Sequence, residues 1–84
     1  MIYTLVLTPA AQRDVRKLDG TVQRRIVRKL SELSENPRMP GTLKMQGEDL
    51  YRVRVGDYRV LYAIDDDTVI VTVVRVRDRK DVYR

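Results

Sequence analysis

The 84-residue chain predicts one α+β domain. Its order is an N-terminal strand, a helical hairpin and an antiparallel three-stranded meander, β-α-α-β-β-β. Three observations carry this. Apolar residues recur at helical spacing in the first half, the period changes to two after residue 50, and two turn signals cut the second half into segments of strand length. The length suits a single domain spanning residues 1–84.

The elements follow in order. Residues 2–7 are β-branched and aliphatic and stop at Thr8-Pro9. Thr8 is a good N-cap, and Pro9 fits the first helical position, where its missing N–H costs nothing. Ala11, Val15 and Leu18 then fall at i, i+4 and i+7 of a short helix, which Asp19-Gly20 ends. Thr21 caps a second helix with Val22, Ile26, Leu30 and Leu33 in one stripe, widened by Val27. Arg24, Arg25, Arg28 and Lys29 surround it as a solvated face that a nucleic acid could also touch. Asn36-Pro37 ends this helix, because the residue before proline is driven out of the α region.

Residues 37–48 form a loop with Pro37, Pro40, Gly41 and Gly47, and with a short extended piece at Leu43 and Met45. Residues 50–55 alternate, with Tyr51, Val53 and Val55 against Leu50, Arg52 and Arg54. Gly56-Asp57 is a tight turn, residues 58–64 the next strand, Asp65-Asp66-Asp67 the next turn, and residues 68–77 a Val-rich third strand. The N-terminal strand joins this sheet and the helices cover one face. Tyr3, Tyr51, Tyr58 and Tyr62 belong to the core or its edge. The three aspartates lack calcium-loop spacing, so they form a turn and no metal site is expected.

Composition removes much chemistry. There is no His, Cys, Trp or Phe. This excludes a disulfide scaffold, a thiolate nucleophile, an imidazole base and the usual zinc ligands. Lys and Arg number 17 against 12 Asp and Glu, a formal charge of +5, and 13 of the 17 are Arg. Guanidinium suits planar, bidentate recognition of phosphate. No apolar run approaches the ~18 residues of a membrane span, and the N-terminus lacks the basic start of a signal peptide. A soluble cytoplasmic protein without membrane contact is the expectation.

The face turned away from the helices is the informative one. Period two puts Arg52 and Arg54 together, Arg59 lies across the turn, and Arg75, Arg77 and Arg79 recur at spacing two, with Tyr83 following. Like charges opposite each other destabilise a sheet, so their congregation makes sense around an anion.

These residues carry a resemblance to the RelE/ParE superfamily of type II toxin–antitoxin toxins. It extends over nearly the whole chain: the Thr8-Pro9-Ala10-Ala11 start, Val15-Arg16-Lys17-Leu18, Asn36-Pro37-Arg38, and above all residues 50–67 (LYRVRVGDYRVLYAIDDD) and 73–84 (VVRVRDRKDVYR). The resemblance implies a microbial-RNase-like fold and a cognate antitoxin, RelB-like or similar. That antitoxin would be acidic where it binds, and disordered until it wraps the toxin. In RelE-like members the resemblance implies metal-independent, cofactor-free cleavage of mRNA on the ribosome. The alternative is a ParE-like inhibitor of DNA gyrase with no chemistry of its own.

By motif, the family's functional positions fall on Arg52, Arg54, Arg59, Tyr83 and either Arg77 or Arg79, with Arg77 favoured. Lys44, Arg75, Arg79, Lys80 and Arg84 are candidate RNA contacts. The chain departs from the RelE pattern by carrying Arg52 and Arg54 where lysines are usual. It also has Arg77-Asp78 where many relatives have Gly-His. The missing His leaves proton transfer to Tyr83.

Overall fold

The computed structural model describes residues 2–78 of the chain. It contains β1 (Thr4–Leu7), α1 (Pro9–Arg16), α2 (Gly20–Glu35), β2 (Leu43–Lys44), β3 (Tyr51–Val55), β4 (Tyr58–Asp65) and β5 (Ile70–Asp78). The five strands form one sheet in the order β1-β5-β4-β3-β2. The predicted meander is β3-β4-β5. The extended piece expected near Leu43 and Met45 becomes β2, which pairs Leu43 with Arg52 and Lys44 with Tyr51. The N-terminal strand joins in parallel, from Thr4 opposite Ile70 to Leu7 opposite Val73. That pairing delivers the start of α1 to the middle of β5.

Capping explains where the helices begin. The Thr8 hydroxyl accepts the Ala11 N–H at 3.1 Å, with Pro9 in the first turn. The second helix is capped by Asp19, whose Oδ1 accepts the Val22 N–H at 3.0 Å. Asp19 therefore starts α2, and Thr21 lies inside its first turn. Asp and Thr are both good caps, and the sequence places two candidates close together. Ile26, Leu30 and Leu33 are buried as the stripe requires, but Val27 is 54% exposed. It stands one position round the helix from Ile26, far enough to leave the sheet.

Val53, Val55, Val60, Tyr62, Val71, Val73 and Val76 of the sheet meet Ala11, Ile26, Leu30 and Leu33 in a single core. Removing side chains of this size from water contributes roughly 1.5–3 kcal/mol each. Tyr62 is fully buried, and its hydroxyl donates to the Pro37 carbonyl at 2.7 Å. Tyr51 stacks on it, with ring centroids 5.8 Å apart. The expected core tyrosines are thus core or core-edge residues.

Both turn signals mark turns. Val55 pairs with Tyr58 across Gly56-Asp57, and Gly56 has φ +59°, as the first central position of a two-residue hairpin demands. At the other turn the Asp65 carboxylate accepts the N–H groups of Asp67 and Thr68. Among the described residues, no helix is long and apolar enough to cross a membrane.

Candidate nucleic-acid interface

Strand alternation builds this surface. Val53 and Val55 are buried, so Arg52 and Arg54 between and beside them face away from the helices. The register then does what spacing within one strand cannot. Arg54 stands opposite Arg59, and Arg59 opposite Arg77. Three arginines thus form a row across β3, β4 and β5, with neighbouring Cβ atoms about 4.5–5.5 Å apart. The adjacent row runs Leu43, Arg52, Leu61, Arg75. A groove of about 240 Å³ lies over this corner, lined by Gly41, Leu43, Arg52, Val53, Arg54 and Arg59.

Among the described residues, Arg52, Arg54 and Arg77 have no carboxylate partner. Arg54 Nε donates to the Gly56 carbonyl at 3.3 Å, which aims its guanidinium along the hairpin.

Arg75 differs. Its Nε donates to Asp14 Oδ2 at 2.8 Å and its Nη2 to Asp14 Oδ1 at 3.1 Å, so α1 holds it in a two-point grip. Burial by itself would raise the Asp14 carboxyl. The hydrogen bonds from Arg75 and the Val76 N–H, with the nearby charges of Arg75 and Arg77, outweigh that and hold it below the usual carboxylate range.

The predicted site residues therefore divide. Arg52, Arg54, Arg59 and Arg77 come together on one face. Arg75 is on the neighbouring row but engaged by Asp14. Lys44 does not join them, because it pairs with Tyr51, and paired residues share a face, here the one packed towards the helices. Arg79, Lys80, Tyr83 and Arg84 lie outside the described residues.

Sequence pattern gives Asp14 no role, and Thr8 only that of a cap. It marks Arg38 only as the end of the Asn36-Pro37-Arg38 segment. In the fold Arg38 forms a bidentate pair with Asp66 (3.2 and 2.9 Å) and lies over the Tyr51 ring at 5.7 Å. Single charged residues in helices and loops carry no signal of their partners, so periodicity and spacing could not find these contacts.

The chemistry that Arg52, Arg54, Arg59 and Arg77 can supply is charge stabilisation, not proton acceptance. Guanidinium stays protonated. Burial pushes the Tyr62 phenol up to about 12, and the hydrogen bond from Tyr3 to Asp66 (2.7 Å) raises the Tyr3 phenol too. Tyr62 and Tyr3 also pack with the core, away from the arginine row.

Comparisons with known proteins identify the family. The family model for the ParE toxin of the type II toxin–antitoxin system parDE matches residues 5–83. The chain is 36% identical over 86 residues to Toxin RelG of Mycobacterium tuberculosis, covering 100% of this chain and 99% of the relative. It is 35% identical over 88 residues to the mRNA interferase toxin RelE of Escherichia coli, covering 99% and 92%. In structure it resembles the toxin–antitoxin complex RelBE2 of M. tuberculosis, with a TM-score of 0.84 and 32% identity over 94% of this chain and 100% of that one. The chain belongs to the ParE toxin family of type II toxin–antitoxin systems, on its RelE-like side.

Proposed function

We propose that this toxin cleaves mRNA on the ribosome and that a cognate antitoxin neutralises it. The observation that carries the reading is the Arg54-Arg59-Arg77 row with Arg52 beside it, a surface whose self-repulsion is relieved by a bound phosphate. The relative named as an mRNA interferase and the solved toxin–antitoxin complexes support it.

RNA supplies its own nucleophile. The 2′-oxygen attacks the adjacent phosphorus, the bond to the 5′-oxygen breaks, and the products are a 2′,3′-cyclic phosphate and a 5′-hydroxyl. Arg52, Arg54, Arg59 and Arg77 stabilise the charge that builds on the phosphorane oxygens, and such stabilisation is commonly the main source of rate enhancement. They cannot accept the 2′-OH proton. Tyr83 is the proposed proton carrier, its phenol oxygen taking the 2′-OH proton and returning one to the leaving 5′-oxygen. Arg77 is preferred to Arg79 because it completes the row. Arg79, Lys80 and Arg84 extend contact along the RNA backbone, and the ribosome supplies alignment.

The test is cleavage of mRNA on purified ribosomes, with the ends analysed for cyclic phosphate. Arg59→Ala and Tyr83→Phe should each lower cleavage by about a hundredfold or more while antitoxin binding and the circular dichroism spectrum persist. Intact mRNA accompanied by inhibition of DNA gyrase would establish the binding-only alternative instead.

A further inference from the structure

The geometry points to a second-tier role for Thr8 and Asp14 as positioning residues. Together they clamp a bulge in β5 and so set the side-chain phase that brings Arg77 into the row. This rests on the reading of that row as the phosphate site.

Through Val71 and Val73, the inward positions of β5 are odd-numbered. Unbroken alternation would send Arg75 and Arg77 into the core and Val76 out to solvent. Instead Val76 is buried and Arg77 stands opposite Arg59. The change comes from one extra residue: Tyr62 pairs with Val73, the preceding Leu61 pairs with Arg75, and Val74 is left between.

A bulge leaves ladder groups without strand partners, and here the β1 side of β5 is also open, because β1 stops at Leu7 opposite Val73. The start of α1 fills that gap. The Thr8 N–H donates to the Val73 carbonyl at 3.0 Å, and the Thr8 hydroxyl to the Val74 carbonyl at 2.8 Å. The Val76 N–H donates to Asp14 Oδ2 at 2.9 Å, and the same carboxylate grips Arg75. The Asp14 side chain is only 13% exposed. Backbone groups of Val73, Val74 and Val76, spanning the extra residue, are thus fixed by one short helix and its N-cap.

The test is a double-mutant cycle of Asp14→Ala with Arg77→Ala in ribosome-dependent mRNA cleavage, joined to NMR of the free toxin. Asp14→Ala should lower cleavage about tenfold where Arg77 is present and less than about twofold where it is Ala. Equal factors in both backgrounds would reduce Asp14 to general structural support and overturn the proposal. In the spectra, Asp14→Ala should lose amide protection at Val76 and the cross-strand contact between Arg59 and Arg77. Asp14→Asn, which keeps an acceptor for the Val76 N–H, should retain both. An unchanged Arg59–Arg77 contact in Asp14→Ala sinks the clamp. The NMR arm decides the clamp even if the wild-type toxin cuts no mRNA, so the two readings fail separately. Should Asp14→Ala not fold, Thr8→Val against a Thr8→Ser control carries the same cycle, with a loss expected only in Thr8→Val.

Discussion

Val69 shows how a single residue is made to take a conformation its own chemistry disfavours. It is β-branched and has φ +58°, the one non-glycine residue with positive φ among those described. The left-handed region costs such a residue roughly 1–2 kcal/mol. The position is held because the Val69 carbonyl accepts the Thr4 N–H at 2.9 Å, where β1 enters the sheet. Val69→Gly should therefore raise stability by about 0.5–1 kcal/mol, the relief exceeding the freedom added to the unfolded chain. A higher urea midpoint with an unchanged slope is the expected result, and a lower midpoint would refute the strain. The three-aspartate turn is legible in the sequence, but nothing there marks the valine that follows it. The arginines are the reverse case. Their alternation is plain, whereas the direct opposition of Arg54, Arg59 and Arg77 needs the register.

Elements here are tied together by hydrogen bonds to their loose ends. The loop after α2 is anchored by Tyr62, whose hydroxyl donates to the buried Pro37 carbonyl. Tyr62→Phe leaves that acceptor unsatisfied and should cost about 1–3 kcal/mol in chemical denaturation. Burial of the ring, which the variant keeps, is not at issue, so a smaller loss would mean that water reaches Pro37. The β5 bulge acts in a related way. Spacing of two correctly puts Arg75 and Arg77 in step with each other. It cannot relate them to Val71 and Val73, because the phase between two alternating runs depends on the extra residue between them. That residue is accommodated from α1 and its N-cap, about sixty residues away in sequence, through Asp14 and Thr8.

At the scale of the whole molecule, acidity is the lever on stability. The carboxyls of Asp14, Asp65 and Asp66 are all held below their ordinary value. At Asp14, burial opposes the shift and Arg75 with the Val76 N–H outweighs it. At Asp65 the leading cause is hydrogen bonding from Thr68, and at Asp66 it is the Arg38 pair. A depressed folded pKa contributes stability that is complete above the unfolded value, about 3.9, and is lost as pH falls through the folded values. Because the chain has no His, the urea midpoint should stay flat from about pH 5 to 7 and fall below about pH 4. Asp14→Asn should flatten part of that acid limb. A midpoint that changes steeply near pH 6 would contradict the assignment.

The sequence by itself determined the fold class, the helix stripe, both hairpin turns and the set of outward arginines on β3. All of these are written in local periodicity and in turn residues. It also determined what the protein lacks, since a chain without His or Cys offers neither imidazole nor thiol for proton transfer or nucleophilic attack. Only the tertiary structure decided which arginines stand side by side, that Lys44 lies on the other face, and that Arg75 is bound to Asp14 while Arg77 completes the row. The physical reason is that strand register and the phase across a bulge are fixed by partners distant in sequence. Here those partners are the parallel pairing of β1 with β5 and the helix that begins where β1 ends.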